Sequence, residues 1–269
     1  MTGAPDLSAW PGVELGEPLT GGSRSPVFRA RRDEQLLVVK VFPRSPESLA
    51  WELEILRFLD QAGLRVPVTV PTVDGRPNQD GLIVQTFLPG HPPRTRQDWA
   101  GVAAFVTRVH DLTHEWPQRP GSLGMRALLT QHRGGDVDLT TMPPPAAALV
   151  RECWRALLDQ VDAASAAGLV RDDDCVVHGD LGPGAVLVDR GQVGIIDWDE
   201  ARVDVPVLDL IGIPGHEATP GVDPVVAHLA DLAWETATCW VPEPGHARNL
   251  LDQLRDATIP PSLGHVPNG

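Results

Sequence analysis

Residues 176–201 read VVHGDLGPGAVLVDRGQVGIIDWDEA, three short apolar runs separated by polar turns. Runs of this length bounded by Gly, Pro and Asp have the pattern of short strands. Val186–Val188 and Val193–Ile196 can pair across Asp189-Arg190-Gly191 as a hairpin. That pairing holds Asp180 and Asp197 at the ends of neighbouring elements. Taken singly, each Asp is an ordinary turn former or helix cap. Their spacing around a hairpin makes that a poor account of both.

Working outward, residues 13–42 alternate apolar and polar positions between turn signals, which predicts two or three antiparallel strands with Asp33 and Glu34 at a hairpin tip. SPESLAWELEILRFLDQAG, residues 45–63, then predicts a helix. Ser45 is placed to cap it, Pro46 fits its first position, and Gly63 follows its last turn. Leu49, Leu53, Leu56 and Leu59 recur at helical spacing. Residues 65–90 return to short apolar runs broken by Pro and Asp-Gly and predict two more strands. Beyond Leu88-Pro89-Gly90 the pattern turns helical, at about 97–113, 144–167 and 223–256, with a break at PEPG. A β-rich amino-terminal part followed by a helical remainder predicts an α+β fold with two lobes, 1–87 and 88–269.

The balance of 22 basic and 36 acidic residues leaves a net charge of −14. Such a surface repels nucleic acid and anionic membranes and attracts a cationic small molecule, although an acidic surface also serves solubility alone. Charge by itself therefore selects no substrate. Cys153, Cys175 and Cys239 are odd in number and widely spaced, which fits neither a disulfide framework nor a CxxC zinc site. They indicate a reducing cytoplasm. The first twelve residues lack a basic start followed by an apolar run, and no stretch approaches eighteen apolar residues, so the chain reads as soluble and untargeted.

Phosphoryl transfer needs metal-bridged phosphates, a Lys on those phosphates and a carboxylate near the acceptor hydroxyl. HGDL and IIDW offer two of these parts. The chain resembles the aminoglycoside phosphotransferases and their choline kinase-like relatives, which share the protein-kinase-like fold. Their usual loop, HGDLHPGN followed by a strand and IDW or IDF, is matched here by residues 178–185 and 196–198 except at two positions. The resemblance implies ATP and Mg²⁺ as cofactors and a hydroxyl-bearing small molecule, such as an aminoglycoside-like antibiotic or a metabolite, as substrate. It assigns Asp180 as the base and Asp197 as the metal ligand. Lys40 in LLVVKVF would contact the α and β phosphates, and Glu52 would pair with it, with Glu54 as its rival. Gly21 and Gly22 would let backbone N–H groups approach phosphate, and the backbone of Gln85, Thr86 and Phe87 would meet the adenine edge. Asp209 in DVPVLDL would be a buried structural carboxylate.

The two departures are Gly182, where the family usually has His, and Ala185, where it has the metal-binding Asn. Alanine offers no oxygen ligand. Mg²⁺ keeps several waters and uses one or two protein carboxylates, so a single ion on Asp197 remains reasonable. Asp199 or Glu200 could replace the lost ligand, Asp199 lying on the side of Asp197 only if the strand runs on. The alternative is a catalytically impaired kinase-like protein that binds a nucleotide or small ligand for regulation or sequestration. His110 and His114 are four apart, but without a third ligand they read as two partly exposed histidines at a helix end. Trp198 reads as packing.

Overall fold

The structure is a computed structural model that describes residues 5–19, 26–171, 173–215 and 219–257. Strands β1 (Glu14–Pro18), β2 (Val27–Arg32), β3 (Gln35–Val41) and β4 (Leu82–Thr86) form one antiparallel sheet in chain order. The β2–β3 pairing runs from Val27↔Lys40 to Arg32↔Gln35, so the turn falls at Asp33-Glu34 as expected, with Asp33 left-handed at φ 52°. Only one of the two strands expected in 65–90 forms. The other is reduced to an isolated bridge from Thr69 to Gln85 with Val70 N–H on Val84 O and Thr86 N–H on Val68 O, because Pro67 and Pro71 have no N–H to extend a ladder.

Helix α1 (Pro46–Gln61) starts where the sequence places it, with the Ser45 hydroxyl accepting from the Ser48 N–H at 3.3 Å. Leu49 and Leu53 pack with Phe42 and Ile83, which ties the helix to the sheet. Trp10, unused in the sequence reading, is buried with Leu37, Val39 and Val84, and its indole N–H donates to Val70 O at 2.8 Å.

The remaining elements are α2 (Arg96–Thr113), α3 (Met125–Gln131), β5 (Arg133–Gly134), β6 (Val137–Asp138), α4 (Pro144–Ala166), β7 (Cys175–Val177), β8 (Val186–Asp189), β9 (Gln192–Ile195), β10 (Arg202–Asp204), α5 (Val207–Leu210), α6 (Pro224–Thr238) and α7 (Pro244–Asp256). The three stretches predicted by periodicity are helical, as α2, α4 and, split at PEPG, α6 and α7. The short α3, α5 and β5–β6 were not expected, since elements of a few residues leave no periodic signal.

Chain contacts divide the molecule into two compact units, Met1–Phe105 with Asp180–Glu200, and Val106–Gly179 with Ala201–Gly269. In the first, the β8–β9 hairpin pairs from Val186↔Ile195 to Asp189↔Gln192 around left-handed Arg190 and Gly191. It is fastened to the amino-terminal chain by backbone bonds. Ile195 N–H donates to Arg65 O at 3.1 Å, His91 and Val188 bond each other at 3.1 and 2.8 Å, and the Arg65 guanidinium donates to Leu187 O and Pro89 O. Gly194 is required by that closeness, since a Cβ there would lie 2.9 Å from the Leu88 side chain and 3.1 Å from Arg65 O. In the second unit, α4, α6 and α7 enclose an apolar core in which Trp154 and Trp234 lie 5.6 Å apart between ring centroids. β10 pairs antiparallel with β7, and the buried Arg202 stacks 3.4 Å over Trp234 while bonding Asp204 at 2.9 Å.

Candidate active site

Lys40 stands on β3 opposite Ile83 and is 7% exposed. Its ammonium donates to Asp197 Oδ1 at 2.9 Å and also to Asp199 Oδ1. Burial opposes this charge most, but the carboxylates of Asp199, Asp197 and Glu52 together outweigh it and hold the ammonium above its ordinary pKa. Glu52 is buried on α1, whereas Glu54 on the same helix is exposed. Of the two helix carboxylates the sequence offered, Glu52 is the one acting on Lys40.

The convergence of Asp197 and Asp199 comes from the end of β9. The strand stops at Ile195 and does not run on. Asp197 turns left-handed at φ 66°, and Trp198–Glu200 form a single 3₁₀ turn. A non-glycine residue held there costs on the order of 1–3 kcal/mol and persists only where its surroundings impose it. Two bonds do so: Ile196 N–H donates to Ala185 O at 2.9 Å, and the buried Trp198 donates its indole N–H to Ile195 O at 3.1 Å. Trp198 is thus a packing anchor. Glu200 turns elsewhere, to Arg44 at 3.3 Å. The Asp197 side chain remains 54% exposed and that of Asp199 only 19%.

Asp180 is exposed, on the loop that leads into β8. Gly182 N–H donates to Asp180 O and Ala185 N–H to Gly182 O, both at 3.0 Å, so backbone bonds shape this loop. Ala185 is buried, and a Cβ on Gly182 would meet nothing within 4 Å. In the second unit, Asp209 is 4% exposed and accepts from the N–H groups of His178 at 2.8 Å and Gly179 at 3.1 Å, the two residues that precede Asp180 in the chain. His110 Nε2 lies 3.2 Å from Asp209 Oδ2, the oxygen that also accepts from His178 N–H. Burial would raise the Asp209 carboxyl, but His110 and then His178 outweigh it and hold it below the usual carboxylate range. His110 stands in the last turn of α2, partly exposed as expected, and is a partner of Asp209; His114 lies just past the end of the helix.

Gln85 and Thr86 end β4, and Phe87 follows it. Thr86 N–H donates to Val68 O at 2.8 Å and Phe87 N–H to Leu36 O at 3.2 Å, so both donors are engaged within the sheet region. Gln85 is 7% exposed, faces the same side of β4 as Ile83, and has a buried Nε2 without a partner. Leaving such a group unsatisfied costs about 1–3 kcal/mol. Gln85→Met is therefore expected to raise the melting temperature by roughly 2–4 °C, read by thermal denaturation of the ligand-free protein; a lower melting temperature would contradict this. Gly21 and Gly22 lie outside the described residues.

The phosphotransferase enzyme family model matches residues 16–248. The chain belongs to this family. No curated protein sequence matches it. Among solved structures, the chain is similar to the amicoumacin kinase hAmiN, solved with AMP-PNP, Ca²⁺ and Ami, at 14% identity and TM-score 0.65 over 92% of this chain and 89% of that one. It is also similar to a microcompartment-associated aminopropanol kinase, at 15% identity and TM-score 0.61 over 93% and 92% of the two chains. The aminoglycoside phosphotransferase APH(4)-Ia gives 17% identity and TM-score 0.63 over 92% and 95%. The fold is accordingly protein-kinase-like α+β, with an antiparallel amino-terminal sheet and a helical carboxy-terminal region, and the family's members are phosphotransferases acting on hydroxyl groups.

Among the described residues no three His, Cys, Asp or Glu side chains cluster to hold a metal ion, and no helix is long and apolar enough to cross a membrane. Cys153, Cys175 and Cys239 are buried free thiols. Burial pushes the Cys153 thiol up to about 11 and raises that of Cys175 as well, which leaves both inert as nucleophiles.

Proposed function

We propose that the protein transfers the γ-phosphoryl group of ATP to a hydroxyl of a small molecule, an aminoglycoside-like antibiotic or a metabolite. The observation that carries this reading is Lys40, a buried ammonium held by Asp197 and Asp199 under the influence of Glu52. An ammonium positioned in this way can turn to the α and β phosphates while Glu52 keeps its stem in place. Asp180, exposed on its loop, would take the proton from the acceptor hydroxyl. Residues 1–87 would hold the nucleotide, with the ends of Gln85–Phe87 against the base, and 88–269 would choose the acceptor. The net charge of −14 favours a cationic acceptor. Three free thiols fit a reducing cytoplasm.

Mg²⁺ supplies charge neutralisation on the phosphates when bound. The donor set suits it, since Asp197 and Asp199 offer hard carboxylate oxygens at one point. Ala185 offers none, and it is what favours the second reading, an impaired kinase-like protein that binds a nucleotide for regulation or sequestration.

Calorimetry with ATP, with and without Mg²⁺, separates the two. The enzyme reading expects metal-dependent binding by the natural protein, followed by product formation with a panel of aminoglycosides and amino alcohols. In Ala185→Asn the metal-dependent affinity is expected to rise by no more than about tenfold, one ligand's worth of about 1.4 kcal/mol. Binding that stays metal-independent until the Asn is restored would favour the regulatory reading instead.

A further inference from the structure

We infer that Asp199 supplies the metal-binding oxygen that position 185 lacks, so that Asp197 and Asp199 together hold the divalent ion. The inference rests on the phosphotransferase reading and concerns the same site. Its first support is convergence: Oδ1 of Asp197 and Oδ1 of Asp199 both bond one cation, the Lys40 ammonium. That ammonium stands in for a metal between two oxygen donors. When Lys40 turns to phosphate, the pair loses its counter-charge, and two adjacent carboxylates left together repel each other. A divalent ion restores the balance.

The second support is place. Position 185 is joined directly to the segment that carries the pair, since Ala185 O accepts from Ile196 N–H at 2.9 Å. Asp199 lies three residues beyond that bond, on the segment fastened to position 185. The third is elimination: Glu200, the other carboxylate in the turn, is engaged by Arg44 and is 14% exposed. Two carboxylates with water filling the other positions is a coordination that Mg²⁺ accepts.

The test uses Mn²⁺ as probe, titrated into the full-length protein with and without AMP-PNP and followed by electron paramagnetic resonance, with nucleotide binding measured separately by calorimetry. Asp199→Asn and Asp197→Asn are each expected to weaken Mn²⁺ binding in the nucleotide complex at least about tenfold, while Glu200→Gln stays within about twofold. Adding Ala185→Asn to Asp199→Asn should return most of the lost affinity. Asp199→Glu keeps a carboxylate and serves if the amide variant fails to fold; it should retain more affinity than Asp199→Ser. Equal Mn²⁺ affinity in Asp199→Asn and the natural protein overturns the inference and leaves the phosphotransferase reading standing. A natural protein that binds AMP-PNP but no Mn²⁺ also overturns it, and one that binds neither overturns both.

Discussion

Asp180→Ala is expected to slow phosphate transfer by about 10²–10⁴-fold, the usual contribution of a positioned general base. Nucleotide affinity should stay within about twofold. The separation follows from how the loop is made. Its turns depend on backbone bonds, Gly182 N–H to Asp180 O and Ala185 N–H to Gly182 O, which alanine at position 180 preserves. The lost carboxylate is exposed, so its removal opens no core cavity. Product formation and calorimetry on the same preparation check both halves. A variant with full turnover would remove Asp180 from the chemistry, and a variant that lost nucleotide binding in proportion would make it a binding residue.

Asp209→Ala should cost about 3–5 kcal/mol of stability, as expected when one partner of a buried charged network is removed. For a chain of this size that is roughly 10 °C in melting temperature. Alanine leaves the His178 and Gly179 N–H groups and His110 without their common acceptor. Asn is expected to be milder, since it keeps one acceptor oxygen where two are used. The pH dependence has a definite sign. Asp209 is held below its unfolded pKa, so its contribution is complete above about pH 4 and is lost as the pH falls through the lower folded value. Urea unfolding at pH 7 and at pH 3 should therefore show a smaller gap between the natural protein and Asp209→Ala at the acid end. A gap that widened on acidification would contradict this. Because His178 and Gly179 lead straight into Asp180, turnover should also fall in Asp209→Ala, in excess of any loss of folded protein.

Much of the fold was legible from local rules. Alternation placed β2 and β3, a short apolar run between turn signals placed β4, Ser45 and Pro46 set the start of α1, and the turn Asp189-Arg190-Gly191 set the register of β8 on β9. These features depend on neighbours within a few residues, which the sequence displays directly. The failures are of the other kind. The run at 67–71 reads as a strand by apolarity and is refused by its prolines, and the bond of His110 to Asp209 leaves no local sign because the two lie 99 positions apart. Nothing local announces that Trp10 is covered by the chain around Val70.

The same division runs through the site. The sequence by itself determined which groups are available: an ammonium on a strand, carboxylates at 52, 180, 197 and 199, and a methyl where an amide oxygen would serve a metal. Only the tertiary structure decided which of them meet. Lys40 finds Asp199 across 159 positions because Arg65 and His91 bond the β8–β9 hairpin into the amino-terminal unit. Asp199 rather than Glu200 joins Asp197 because β9 ends two residues before the left-handed Asp197 and a 3₁₀ turn follows. A carboxylate's type is written in the chain, but the direction of its oxygens is set by backbone angles that distant hydrogen bonds impose.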